Sequence, residues 1–286
     1  QRVGYLIWQA ADARARGFLM GATAGRTTLM GEGLQHQDGH SLLLASTIPA
    51  CQAYDPAFAF EVAAVVEHGI TKMYGPEPAD IFYYIALYNE NIAMPVRPAH
   101  VSNSDIVSGL YKWAPAQSAT PHASILFSGA AFAAASEAAD ILRTKYNIDA
   151  ELWSATSYKS LREDALEVER WNRLHPTENA RISTVANLLG ADTAPIVAVS
   201  DFMRIVPEQI ASFVQHRHFL ALGTDGMGRS DTREALRRFF ETDSAHVVVA
   251  VLHSLIGTHG ITAATVASAI QEFNIHPDAV HSLSRD

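Results

Sequence analysis

A ten-residue segment of the chain, residues 31 to 40, concentrates side chains that can carry out proton chemistry. It reads GEGLQHQDGH and holds three glycines, two carboxylates and two histidines. Imidazole titrates near neutral pH, so histidine is well suited to accept and donate protons in an active site. The glycines give the backbone the freedom to form a loop whose polar groups line a cavity. The segment is therefore a candidate active-site loop, and a polar turn whose side chains only bond the backbone stays open as the alternative.

The spacing of His36 and His40 is that of the two zinc ligands in a metalloprotease motif. That motif requires a helix and a glutamate directly after the first histidine. Here Gln37 follows His36, and Gly39 disfavours a helix. We therefore predict no metal site in this segment.

Two other segments could contact a ligand. Gly223–Asp231 is expected to follow a strand and precede a helix, where main-chain N–H groups can hold a phosphate. It matches neither the dinucleotide-binding nor the P-loop pattern, so a tight structural turn is favoured. Tyr88–Asn91 follows a predicted buried strand, and such strand ends line ligand crevices in open α/β sheets. A plain loop is the favoured interpretation there too.

The composition excludes several classes of protein. Of the 286 residues, 48% are hydrophobic and 18% charged, which suffices for a folded core. A formal net charge of −9 argues against a nucleic-acid partner or an anionic membrane surface. We find no apolar run of the roughly 18 residues that a membrane span needs, and we expect no signal peptide. We expect a cytoplasmic protein, in which the lone Cys51 is a buried, reduced thiol.

Strands and helices are predicted to alternate, which indicates an α/β fold with parallel strand pairs. Asp55 and Asp231 are each expected to cap a helix, with Pro56 at the first helical position. The proline-rich stretch 92–121 is the expected linker, so we predict two domains, 1–97 and 98–286. The predicted strands are 18–29, 81–88, 110–113, 124–127, 150–154, 196–199 and 219–222; the predicted helices are 3–16, 55–74, 131–146, 162–174, 207–214, 231–240 and 262–273, and 247–251 fits a strand or a helix start.

Short strings along nearly the whole chain match those of one enzyme family. They are RGFL (16–19), GRTTL (25–29), the 31–40 segment, YDPA (54–57), YY (83–84), NEN (89–91), ERWN (169–172), LHP (174–176), 222–231 and FNI (273–275). In this order and spacing the chain resembles homodimeric bacterial pyruvate dehydrogenase, the thiamine-diphosphate-dependent decarboxylating component of the pyruvate dehydrogenase complex. The 31–40 string is a hallmark of that family.

The resemblance implies a transketolase-like fold, in which a partial pyrimidine-binding domain precedes a C-terminal α/β domain with a mostly parallel sheet. It implies oxidative decarboxylation of pyruvate, linked to glycolysis, with transfer of the acetyl unit to a lipoyl group. The implied partners are a second copy, forming a homodimer, and the lipoyl-bearing acetyltransferase component. The implied cofactors are thiamine diphosphate and magnesium, which parts of the parent protein absent from this chain mainly bind.

The same resemblance implies catalytic roles for His36, Glu32 and His40, of which His36 matches the family histidine that hydrogen-bonds the cofactor-bound intermediate. The Gly-Asp-Gly diphosphate motif is absent, since Thr224 stands where its first glycine would be. We therefore expect the isolated chain to be inactive, and we expect it to self-associate or to expose an apolar patch. Two alternatives stay open: a non-catalytic structural or dimerisation fragment, and a related transketolase-type enzyme acting on another 2-keto acid.

Overall fold

The computed structural model describes residues 4–118, 120–190 and 192–284 and shows two sheets with helices packed against them. The first sheet has three parallel strands in the order β1-β3-β2, so that Gly17 and Cys51 both align with Phe82 of the central strand. Its elements are α1 (Gly4–Asp12), β1 (Gly17–Ala22), α2 (Ser41–Ser46), β2 (Cys51–Tyr54), α3 (Ala59–Tyr74) and β3 (Phe82–Leu87).

The second sheet has five strands in the order β4-β6-β5-β7-β8, of which only the edge strand β4 is antiparallel. The α/β prediction with a mostly parallel second sheet is therefore confirmed. The elements are α4 (Asn103–Val107), β4 (Tyr111–Ala114), β5 (Ala123–Phe127), α5 (Phe132–Tyr146), β6 (Ala150–Ser154), α6 (Tyr158–Leu174), α7 (Thr184–Leu189), β7 (Ile196–Val199), α8 (Ile205–Glu208), β8 (Phe219–Leu222), α9 (Arg233–Phe239), α10 (Ser244–Ser254) and α11 (Ala263–Glu272).

Several predicted boundaries are wrong for identifiable reasons. Strand β1 ends at Ala22 because the chain then turns, with Gly25 at a φ of +86°. Thr232, not Asp231, caps α9 through its side chain. The ambiguous segment 247–251 lies inside helix α10, because Asp243 caps that helix by accepting from the main-chain N–H of His246.

The start of α3 corrects a second capping prediction. Asp55 and Pro56 precede the helix, which begins at Ala59 with Phe58 at the N-cap. Glu61 supplies the missing side-chain acceptor from within the first turn. The Asp55 carboxyl is thereby left for contacts with the second sheet.

One of the hydrophobic clusters is built by both sheets. A single buried cluster includes Cys51 and Phe82 of the first sheet together with Leu126, Trp153 and Ala198 of the second. The expected linker 92–121 contains α4 and β4 and contributes buried side chains such as Ile106, so it is part of the fold. The predicted boundary between residues 97 and 98 falls in this stretch and stays a prediction. Within the described ranges no helix is both long enough and apolar enough to cross a bilayer.

Glu61, in the first turn of α3, is fully buried and ties that helix to the second sheet. Its Oε2 accepts hydrogen bonds from the main-chain N–H groups of Ala57, at 2.5 Å, and Phe58, at 3.0 Å. Its Oε1 accepts from the hydroxyls of Tyr111 and Ser154, both at 2.6 Å. Burial raises the pKa of Glu61, while these hydrogen bonds act to lower it.

Asp55 forms a second buried junction between the sheets. Its Oδ2 accepts from the hydroxyl of Ser128 at 2.6 Å, and its Oδ1 accepts from the hydroxyl of Tyr88. Its main-chain N–H donates to the carbonyl of Thr156 at 2.8 Å. Burial raises the pKa of Asp55 to about 7, although the hydrogen bonds from Ser128 and Tyr88 oppose that rise.

The Glu61 network predicts a large loss of stability on truncation. Glu61→Ala leaves two buried hydroxyls and two main-chain donors without an acceptor, so we expect the free energy of unfolding to fall by about 3–5 kcal/mol. Urea denaturation measures it. Glu67→Ala, at an exposed position of the same helix, is the matched control and should cost under about 1 kcal/mol. Equal losses in the two variants would contradict a special role for the buried carboxyl.

The Asp55 junction predicts a pH dependence of stability. Because the pKa rises from 3.8 to about 7 on folding, its contribution is complete below pH 3.8 and is lost as the pH rises through 7. Asn at this position cannot ionise, so the stability of Asp55→Asn relative to wild type should increase by about 2–4 kcal/mol between pH 4 and pH 8. Urea denaturation at both pH values tests this. For the control Asp140→Asn, on the exposed face of α5, the difference in unfolding free energy from wild type should be the same at pH 4 and pH 8.

Candidate functional site

The Gly31–His40 loop lies between β1 and α2 and returns alongside the residues that precede it. Asp38 donates its main-chain N–H to the carbonyl of Gly25 at 3.1 Å, in an isolated antiparallel bridge. His40 directly precedes the first residue of α2. The loop is therefore closed at its base, while the stretch from Gly31 to His36 is exposed.

Glu32 and His36 form a hydrogen-bonded pair on the exposed part of this loop. Nδ1 of His36 lies 2.9 Å from Oε2 of Glu32, and the two side chains are 59% and 49% exposed. The main-chain N–H of His36 donates to the carbonyl of Gly33 at 2.9 Å, which holds the intervening turn. A carboxylate at Nδ1 sets the orientation and tautomer of an imidazole. The pair can therefore present Nε2 to a ligand and exchange a proton there.

His40, the third predicted site residue, belongs to a separate cluster. Its Nδ1 lies 3.9 Å from Oδ1 of Asp38. That carboxylate also accepts from the main-chain N–H groups of His40, at 3.1 Å, and Ser41, at 2.9 Å, and so caps the start of α2. Tyr84 donates its hydroxyl to the Ser41 hydroxyl at 2.7 Å. The structure thus brings Glu32 and His36 together and ties His40 to the base of the loop.

Arg26 is a buried cation behind the loop. Its guanidinium donates to the carbonyl of Gly226 in the second half of the chain. Burial lowers the pKa of Arg26, and the carboxylates of Asp38, Asp225 and Asp201 act to raise it. Gly39 packs directly on this side chain, because a Cβ there would lie 2.0 Å from Nε of Arg26. The absence of a side chain at Gly39 lets the loop lie against the cation.

Asp201 fixes the turn that leads into the loop. Its two carboxylate oxygens lie 3.0 and 3.2 Å from the main-chain nitrogen of Thr27, which donates to them. Burial raises the pKa of Asp201 to about 6, and the hydrogen bonds from Thr27 oppose that rise. Gly25 is required here twice over: its φ is +86°, and a Cβ would meet Oδ2 of Asp201 at 2.1 Å.

The Gly223–Asp231 segment packs against the Gly31–His40 loop. Gly31 donates its main-chain N–H to the carbonyl of Asp231 at 3.2 Å. Beyond the segment, Arg233 donates its Nε to the carbonyl of Thr28 at 3.0 Å. These contacts support the interpretation of the segment as a structural turn, and they show that it packs against the Gly31–His40 loop and the residues just before it.

The Tyr88–Asn91 segment borders a cavity at the carboxyl end of β3. Glu90 forms an ion pair with Arg237 of α9, with Nη1 3.1 Å from Oε1. The cavity has a volume of about 340 Å³, and its lining includes Phe58, Tyr88, Glu90, Ile92 and Phe132. The strand end therefore does line a crevice, and this crevice is mainly apolar.

Sequence reasoning missed Arg26 and Asp201 as supports of the loop. In the sequence Arg26 is noticeable only as part of the GRTTL string (25–29), because no local pattern shows that an arginine is buried. Asp201 lies two residues past β7, so the signal that singles out Tyr88–Asn91, polar residues just beyond a buried strand, applies equally to it.

Two family models match the chain. The pyruvate dehydrogenase E1 component middle domain matches residues 1–95, and the transketolase-like C-terminal domain matches residues 109–243. Among solved structures, transketolase from Leishmania mexicana superposes with a TM-score of 0.62 at 16% identity, over 92% of this chain and 35% of that one. At that identity the likeness shows the transketolase-like fold.

Curated relatives extend the match to nearly the whole chain. The pyruvate dehydrogenase E1 component of Pseudomonas aeruginosa is 46% identical over 97% of this chain, and that of Mycolicibacterium smegmatis is 47% identical over 96%. This chain spans only 31% and 30% of the length of these two relatives. Nearly the whole chain therefore matches pyruvate dehydrogenase E1 components, and it corresponds to about a third of the length of the members it matches.

Proposed function

We propose that the polypeptide to which this chain corresponds carries out the thiamine-diphosphate-dependent oxidative decarboxylation of pyruvate. It passes the acetyl unit to a lipoyl group on the acetyltransferase component of the complex. The identity of 46–47% to pyruvate dehydrogenase E1 components supports the reaction class. The role of this chain rests on one observation: the Glu32–His36 pair is exposed on a loop that buried side chains, among them Arg26 and Asp201, support.

The side chains present fit one part of the chemistry. A hydrogen-bonded imidazole and carboxylate, both about half exposed, suit proton exchange with a bound substrate. In the described part of the chain, no three or more histidine, cysteine, aspartate or glutamate side chains form a group that could hold a metal ion. We therefore assign no magnesium ligand here, and propose that magnesium and the diphosphate are bound mainly by parts of the parent protein outside this chain.

The proposed mechanism uses His36 as the proton-handling group. Thiamine diphosphate, when bound, supplies the nucleophilic carbon and the electron sink that decarboxylation needs. Glu32 accepts a hydrogen bond from Nδ1–H of His36, so Nε2 carries a proton only when the imidazole is doubly protonated, and in that form it can donate to the oxygen derived from the keto group of pyruvate. After that transfer Nε2 has a free lone pair, with which the same imidazole can take the proton back. The contact of His40 with Asp38 suits a role in orienting the loop.

The proposed assembly is a cytoplasmic homodimer that docks with the lipoyl-bearing component. Helix α1 supports self-association, because it has no buried residue and exposes Tyr5, Leu6 and Trp8. Monomeric proteins rarely leave such large apolar side chains clustered at the surface. A second copy or another part of the parent protein would cover them.

The role of His36 predicts a selective kinetic defect. In the full-length enzyme, His36→Ala should lower the turnover number by about 10²–10⁴-fold, the usual worth of one general acid–base group, and leave the affinity for thiamine diphosphate nearly unchanged. Steady-state kinetics with pyruvate and a lipoyl acceptor measure the turnover, and a cofactor titration measures the affinity.

The control for this variant is His253→Ala, which removes an exposed histidine of α10 and should keep wild-type turnover. A thermal melt of each variant separates chemistry from folding. A lower melting temperature with unchanged turnover would make His36 a structural residue. Weaker cofactor binding with normal turnover at saturation would make it a cofactor ligand.

The isolated chain should lack activity. The sequence has no Gly-Asp-Gly diphosphate motif, so the purified 286-residue chain should release no carbon dioxide from pyruvate above background. Thiamine diphosphate and magnesium are supplied in excess, circular dichroism verifies folding, and the full-length protein is the positive control. Cofactor-dependent turnover by the folded chain would contradict the proposed division of the cofactor site.

A further inference from the structure

Gln37 differs from its neighbours in the Gly31–His40 loop. Gln35 and His36 are exposed, whereas Gln37 is only 3% exposed. Its Nε2 donates to the carbonyl of Leu29 at 2.8 Å and to the carbonyl of Arg229 at 2.7 Å. Its Oε1 accepts from the main-chain N–H of Arg229 at 2.7 Å. Gln37 thus joins the candidate active-site loop to the main chain of Leu29, just before the loop, and to that of Arg229, in the second half of the chain.

These bonds use the full geometry of an amide. Both N–H donors of Gln37 and its oxygen are engaged, and two of the three bonds pair it with the peptide groups of one residue, Arg229. A paired amide fixes direction as well as distance, because three bonds must align at once. Since His36 is the adjacent residue, its main chain is held by the same contacts.

Gly228 completes this arrangement from the second half of the chain. A Cβ at Gly228 would lie 2.6 Å from the carbonyl oxygen of Leu34 and 2.7 Å from Oε1 of Gln37. The approach of the two loops at this point therefore requires glycine. One loop contributes an amide side chain and the other contributes bare main chain.

We propose that the Gly223–Asp231 segment is the positioning element for His36, and that Gln37 and Gly228 are the positioning residues through which it acts. The proposal rests on the proposed function of His36, and it gives the second half of the chain an indirect part in catalysis, through the position of His36. Gln37 and Gly228 set where the imidazole stands, and displacement of a reacting group by about 1 Å can cost about 100-fold in rate.

The test uses two substitutions in the full-length protein, one from each side. Gln37→Met keeps the volume and removes all three hydrogen bonds, and Gly228→Ala places a methyl group between the loops. Each should lower kcat with pyruvate by about 10- to 100-fold, change KM for pyruvate less than three-fold by our estimate, and speed amide hydrogen exchange in residues 31–40.

Two controls match these changes. Gln209→Met removes a partly buried glutamine whose amide also donates to a main-chain carbonyl, and Met227→Ala trims a side chain that is 68% exposed in the same segment as Gly228. Both should keep turnover and loop exchange within about two-fold of wild type.

A combined variant separates positioning from general support of the fold. In a His36→Ala background, Gln37→Met should cost less than about two-fold in kcat, because residues that act as a unit are non-additive. An equally large second loss would show that Gln37 acts elsewhere and would overturn the proposal. Wild-type kcat and loop exchange in both single variants would overturn it as well.

The exchange measurement also keeps this proposal distinct from the proposed function. If the full-length wild type does not turn over pyruvate, the proposed function fails, and amide exchange then decides the positioning claim alone. Faster exchange in residues 31–40 in both variants, with any further increase limited to the facing 223–231 segment, supports the claim, and unchanged exchange in residues 31–40 overturns it.

Discussion

The candidate active-site loop has no regular secondary structure of its own, so its shape depends on hydrogen bonds to main chain elsewhere. Residues 31–40 contribute no helix or strand, and the groups that hold them come from the turn at Gly25 and from the segment around Arg229. Such contacts demand close approach of backbones. Glycine at positions 39 and 228 permits it, because a side chain at either would overlap its neighbour. The shape and position of the candidate active-site loop therefore depend on the junction between the two sheets.

Buried carboxyls set the electrostatic character of that junction. Asp55, Glu61 and Asp201 are withdrawn from water, and burial raises the pKa of each. Hydroxyl and main-chain donors satisfy all three, so the desolvation of each group is offset by hydrogen bonds that an apolar interface would lack. Asp201, just beyond β7, also holds the turn that follows β1 and leads into the loop, so one of these buried carboxyls takes part in orienting the site.

The regular parts of the fold are largely predictable from the sequence, because β-branched strands such as β3 and β7 and long amphipathic helices such as α6 carry local signals. The short elements α2, α4, α7 and β2 are missed, because helices of five or six residues complete less than two turns and β2 (CQAY) has no β-branched residue. The site divides in the same way. Glycines and histidines mark the loop, whereas the contact between Gln37 and Arg229 joins residues 192 positions apart, which no local pattern encodes.

The single cysteine, Cys51, lies in the hydrophobic cluster that both sheets build, so its reaction with thiol reagents reports on the opening of that cluster. Cys51 is 1% exposed and belongs to the cluster that both sheets build, and burial raises the pKa of its thiol to about 12. Thiol reagents attack the thiolate, and only through direct access. Modification of Cys51 therefore requires the two sheets to separate or β2 to unfold locally. The rate at which Cys51 is labelled in native buffer measures how often such openings occur, without an engineered probe.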